Sequence, residues 1–172
     1  MRIALEMGLN VEAPRGADVY FHGLIQGLGE LEVRHSYVLF SFFYRDFEAK
    51  RRSLPQPRTP QFELRYHRWP EKLVRTLENA GLPAIDLLFA RWADLSVYHC
   101  LGGVPPHIRG LPIIMTVYDL MPEVFHERAL ARGDKAPLSP STARFADRAD
   151  RIITISAATR DRAEASVAWR WR

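Results

Sequence analysis

Ile114-Met115-Thr116-Val117-Tyr118-Asp119-Leu120-Met121-Pro122 is an apolar run that breaks abruptly into residues able to hydrogen-bond. Ala149-Asp150-Arg151-Ile152-Ile153-Thr154-Ile155-Ser156-Ala157-Ala158-Thr159-Arg160 repeats the pattern further along the chain. Each reads as a strand that carries polar side chains to its end. In an open parallel α/β sheet that carboxyl edge is where ligands bind.

Working outward, the rest of the chain alternates in the same way. Arg2 to Met7 reads as a first strand, with Ile3, Leu5 and Met7 apolar. A loop with Pro14, Arg15 and Gly16 follows, and Asp18 is placed to cap a helix whose inner face is Phe21, Leu24, Ile25, Leu28 and Leu31. Ser36 to Phe43 is a near-continuous apolar run, as expected of a strand covered on both faces. Arg45 to Gln61, with Lys50, Arg51, Arg52, Pro55, Pro57 and Pro60, reads as a long polar loop. Phe62, Leu64 and Tyr66 alternate as a third strand. Pro70 then opens a helix with Leu73, Val74 and Leu77 inward, closed by Gly81. Pro83 opens another, with Ile85, Leu88, Phe89 and Trp92 on one face.

Leu95 to Leu101 and Pro112 to Tyr118 are the next strands, separated by Gly102-Gly103-Val104-Pro105-Pro106. Glu123 to Arg144 carries no assignable pattern; Phe145 to Asp150 closes a helix, and Arg151 to Ile155 is a last strand before Ser156 caps a final helix. The expected fold class is therefore α/β, a Rossmann-like, largely parallel sheet flanked by helices.

Bulk properties narrow the function classes. A chain of 172 residues suits one ordinary domain, and a net charge of +4 favours anionic partners without choosing among them. The single cysteine, Cys100, excludes an internal disulfide framework and fits a reducing compartment. Glu6 interrupts the amino terminus too early for a signal-peptide core, and Tyr37 to Tyr44 is too short to cross a bilayer. A cytoplasmic protein is expected, with peripheral contact at the inner face of a membrane left open. There is no Walker loop, no Cys-x-x-Cys, no His-Glu-x-x-His and no full Gly-x-Gly-x-x-Gly after the first strand. The basic Lys50-Arg51-Arg52 lacks the interleaved aromatics of a single-strand nucleic-acid platform, so no nucleic-acid partner is expected. It reads as a solvated loop, with anionic lipid heads as the lesser alternative.

The order and spacing of four anchors resemble the amino-terminal domain of nucleotide-sugar glycosyltransferases of the GT-B fold, group 1 (family 4) type. The resemblance spans Arg2 to about Asp161. Its first anchor is Arg15-Gly16-Ala17-Asp18-Val19-Tyr20, where the family has a more glycine-rich loop close to donor phosphates and acceptor. Gly16 would let backbone approach a ligand, whereas the Asp18 carboxylate would repel a phosphate; a plain glycine turn with an Asp cap is the competing reading. The second is Val97-Tyr98-His99-Cys100, whose His99 could hydrogen-bond a sugar hydroxyl or simply be a satisfied structural histidine. The third is Thr116 to Leu120. The family usually has His-Asp there, and this chain has Tyr118-Asp119. Tyr118 can donate a hydrogen bond and stack on a sugar but cannot shuttle protons near neutral pH, while Asp119 would orient an acceptor hydroxyl or fix its own loop. The fourth is Ala149-Asp150 with Ile152 to Ser156, leading in the family toward a hinge; Ser156 reads first as a helix cap.

The resemblance implies transfer of a sugar from a nucleotide-sugar donor to a glycan or lipid-linked acceptor, with retention of configuration, no cofactor and no obligatory metal. Asp119 would be catalytic, and Gly16, His99, Tyr118 and Ser156 would bind substrate. Two rivals stand beside it: a non-catalytic fragment that binds an acceptor or partner, and a sugar-nucleotide epimerase of the same fold. Residues 1–161 are expected to form the acceptor-side domain. Residues 162–172, with Trp169 and Trp171 but no helical apolar pattern, read as an atypical tail of a truncated or frame-shifted product. A carboxyl-terminal donor-binding domain is then missing, and the chain alone is expected to transfer little or no sugar.

Overall fold

The computed structural model describes residues 1–7, 16–31, 34–54, 57, 59–89, 94–101, 105–120 and 146–166. Six strands form one sheet: β1 (Arg2–Glu6), β2 (Ser36–Phe42), β3 (Phe62–His67), β4 (Val97–Cys100), β5 (Ile113–Val117) and β6 (Arg151–Thr154). Their order is β3-β2-β1-β4-β5-β6, and every neighbouring pair is parallel. The direction of winding reverses between β1 and β4, which makes the carboxyl ends of those two strands the topological switch point.

Period-two alternation splits the buried side chains between two faces. Leu5 and Leu39 join Phe21 and Ile25 of helix α1 (Gly16–Glu30) in one apolar cluster, which Leu54 completes beyond helix α2 (Phe47–Ser53). Ala4, Phe40, Tyr98 and Cys100 turn the other way, onto Val74 of helix α3 (Glu71–Asn79) and Ile85 of helix α4 (Ala84–Phe89). On that second face, helix α5 (Ala157–Ser166) adds Ala163 against Met115 and Val117. With helices on both faces, this is the doubly wound architecture that the sequence pattern predicts.

Several local readings need correction. Arg45 to Gln61 is not wholly loop, because α2 occupies part of it. Phe47 packs on Phe43 with ring centroids 6.2 Å apart and Leu54 is buried, so two apolar anchors outweigh the polar composition between them. Glu48 in the first turn and Lys50, Arg51 and Arg52 in the last turn also suit the helix dipole. Asp18 lies inside the first turn of α1 and does not cap it, since the helix begins two residues earlier at Gly16. Leu31 and Leu73, expected inside, are 62% and 50% exposed. Both stand at helix ends, where one large side chain can miss the core without exposing the rest of the face. Gly81 closes α3 as expected: its φ is 81°, its N–H bonds the Glu78 carbonyl, and the Leu82 N–H reaches back to Leu77. Pro14, Arg15, Trp92, Gly102 to Val104 and the 123–144 segment lie outside the described residues, as do the side chains of Leu88 and Phe89.

Two buried carboxylates serve the frame. Glu78 is fully buried and accepts the backbone N–H groups of Ile85 and His107, each at 2.8 Å, tying α3 to the start of α4 and to the segment before β5. Glu6, 2% exposed, accepts the Tyr98 hydroxyl and pairs with the Arg75 guanidinium. Burial works against the charge of Arg75, but the Glu6 carboxylate more than compensates and holds the guanidinium protonated. Burial, and then the same carboxylate, push the Tyr98 phenol well above its ordinary range, so it stays a donor.

Candidate functional site at the carboxyl edge

His99 sits one residue from the end of β4, opposite Leu5 of β1 and Ile114 of β5. Its ring is 8% exposed, and Nε2 lies 2.8 Å from Oγ1 of Thr116. Burial lowers its pKa to about 4, so the imidazole is neutral at physiological pH. One ring nitrogen is thus engaged with the neighbouring strand. That is the satisfied structural arrangement, and any ligand contact falls to the other nitrogen.

Tyr118 follows β5 on the same side of the sheet as Thr116. Its hydroxyl donates to the Leu101 carbonyl at 2.8 Å, and its ring meets the edge of Tyr20 with centroids 5.5 Å apart. Burial chiefly, and then Tyr20, Cys100 and Asp18, push its pKa far above the usual phenol value. Tyr118 is therefore a fixed, protonated wall whose hydroxyl is already spent on the backbone, and it is no proton carrier.

Tyr20 and Asp18 bring the first turn of α1, and Gly16 with it, to the same place. Gly16 is exposed, and a Cβ added there would meet nothing within 4 Å. Asp119, next to Tyr118, is exposed at the lip of the edge. Ser156 caps α5: its Oγ accepts the Thr159 N–H at 3.1 Å, and its carbonyl accepts the Arg160 N–H. The Thr159 hydroxyl in turn donates to the Tyr118 carbonyl at 3.3 Å. Ser156 and Tyr118 are thus linked through Thr159 at the carboxyl edge of β5 and β6, and His99 at the end of β4 and Asp119 after β5 lie on the same edge.

Three contributors stand inside the quoted stretches but receive no role from the sequence alone. Thr116 was legible in principle, since a residue two positions before Tyr118 on a strand shares its face. Tyr20 sits one turn into α1, where an aromatic reads simply as core. Thr159 is visible only once Ser156 is known to precede a helix that returns to β5. Among the described residues, no group of three or more His, Cys, Asp or Glu could hold a metal ion. A shallow cleft of about 550 Å³ opens at the opposite, amino edge, lined by Arg2, His35, Gln61, Asp94 and Ser96. There Arg2 bridges Glu63 and Asp94 and ties strand starts together, on the edge opposite Tyr118 and Asp119.

The parallel sheet with a polar carboxyl edge defines a Rossmann-like α/β protein. Residues 14–168 match Glycosyltransferase Family 4, and the chain belongs to that family. No curated protein and no solved structure gave a significant match.

Proposed function

We propose that this domain forms the acceptor side of a glycosyltransferase that moves a sugar from a nucleotide-sugar to a glycan or lipid-linked acceptor. A second α/β domain would hold the nucleotide, as the GT-B arrangement implies. The observation that carries this reading is the family match, supported by the contacts of Tyr118 with Tyr20, Leu101 and Thr159 at the carboxyl edge. Asp119, exposed beside a rigid Tyr118, orients the attacking acceptor hydroxyl. Tyr118 and Tyr20 offer an apolar wall to the acceptor. Neutral His99 and the α5 cap at Ser156 set the position of β4 and α5 around it. No cofactor or metal enters the proposal.

Asp119→Asn tests the role of the carboxylate, because the exchange keeps the shape and removes the charge. Within a complete enzyme that carries the second domain, turnover of a nucleotide-sugar in the presence of acceptor should fall at least about 100-fold, the low end for a positioned acid or base. The thermal midpoint should stay within about 2 °C, as expected for an exposed side chain. Parallel losses of turnover and stability would make Asp119 a loop-fixing residue.

A further inference from the structure

We propose that two copies of this chain pair through β6, strand edge against strand edge and antiparallel, so that their sheets join. β6 ends the strand order and is bonded on one side, to β5; among the described residues no strand lies on its outer side. The Asp150 N–H donates to the Ile113 carbonyl at 2.8 Å, which sets the alternation along the strand. The backbone groups of Asp150 and Ile152 point to β5, and those of Ile153 point outward.

The side chains make this edge adhesive. Ile153 and Ile155 share one face and are 39% and 50% exposed, whereas Ile152 turns to the other face and packs with Met115 and Val117. From Ile152 to Ile155 there is neither a charge nor a proline, the devices that keep natural strand edges apart. The opposite edge is guarded: β3 carries Glu63 and Arg65, and Glu63 pairs with both Arg65 and Arg2. A second copy is the occupant that fits the open edge. A two-fold axis makes the pairing antiparallel and closed, so association stops at two. With Ile153 of one copy opposite Ile153 of the other, each outward N–H meets an outward carbonyl, and the two side chains lie together on one face. Arg151 of each copy then falls opposite Ile155 of the other, where its aliphatic stem covers the exposed side chain. The two guanidinium groups start four residues apart along the seam, about 13 Å, which exceeds the screening length of about 8 Å at physiological salt. Beside the seam, α5 carries Arg160 and Arg162 against Asp161 and Glu164, so apposed copies bring no net charge together there. So short a seam belongs to the weak, transient class of interface.

The test is analytical ultracentrifugation of the whole chain over about a 100-fold range of concentration, with amide hydrogen exchange at both ends of the range. The mass should rise from one chain toward two and no further. Exchange at the Ile153 amide should slow at least about tenfold on association, while that at Ile152, already directed to β5, stays unchanged. Ile153→Lys sets a charge on the seam and should weaken association at least about tenfold, with the melting temperature at low concentration within about 2 °C of the parent. A chain that stays monomeric throughout, or whose β6 takes up only a strand from another protein, overturns the proposal. So does association that passes beyond two, survives Ile153→Lys or leaves the Ile153 amide unprotected. The exchange measurement needs no variant, so it decides the matter even if Ile153→Lys fails to fold. The seam uses none of Gly16, His99, Tyr118 or Asp119, so its failure leaves the enzymatic reading standing.

Discussion

Replacing Glu6 with alanine is expected to lower the unfolding free energy by about 3–5 kcal/mol, the usual effect of breaking a buried ion pair from one side. The carboxylate is 2% exposed at the carboxyl end of β1, where it accepts the Tyr98 hydroxyl and neutralises Arg75. Without it, a guanidinium and a phenol remain in an apolar layer formed by Phe40, Val74 and Cys100. A domain of this size has about 5–15 kcal/mol in total, so the variant would be close to unfolding. Removing both charges, as in Glu6→Leu with Arg75→Met, should cost clearly less than Glu6→Ala, because no unpaired ion is left. Urea denaturation of the single and double variants measures the difference. Arg75 is 18% exposed, and a single variant within about 1 kcal/mol of the parent would mean that this access to water suffices to solvate its charge.

Acidification should destabilise the chain through His99. The unfolded histidine takes up a proton near pH 6.5, whereas the folded one, held down by burial, does so only near pH 4. Between those values the unfolded state binds more protons, so stability is full above about pH 6.5 and falls as the pH drops toward 4. The shift corresponds to about 3 kcal/mol across the window. His67 is lowered as well, by burial and then by Arg65, and contributes a slope of the same sign. His99→Gln should therefore flatten the profile without abolishing the acid sensitivity. Superimposable profiles for parent and variant, from denaturant midpoints at closely spaced pH, would show that His99 is protonated in the fold.

The fold was legible because strand signals in this chain are strong and local. Val38, Phe40 and Phe42 on β2, and Ile113, Met115 and Val117 on β5, are buried as their patterns require. Ends were less legible. Leu31 and Leu73 satisfy helical spacing and still face solvent, because periodicity marks a face but not where the neighbouring layer stops. The α2 helix was hidden by its basic composition, since what holds it is tertiary: Phe47 against Phe43. At the candidate site, sequence placed Tyr118 and Asp119 at the carboxyl edge but did not reveal the contacts that fix Tyr118. The Tyr118 bond to Leu101 and the His99 bond to Thr116 join residues 17 positions apart. Such pairings depend on which strands become neighbours, and no local spacing encodes them. Glu6 is the instructive case. A carboxylate in an apolar strand announces a buried partner, yet Arg75 is identifiable only after α3 is laid across β1.

Ligands are expected to meet this domain at the carboxyl edge beside the switch point. The most direct measurement is a backbone amide nuclear magnetic resonance titration of the whole chain with nucleotide-sugars and with acceptor glycans. Shifts should cluster at Gly16, Tyr20, Leu101, Tyr118, Asp119 and Thr159, saturate with acceptor, and weaken in Asp119→Asn. Shifts confined to the amino-edge cleft around Arg2, Gln61 and Ser96 would contradict it.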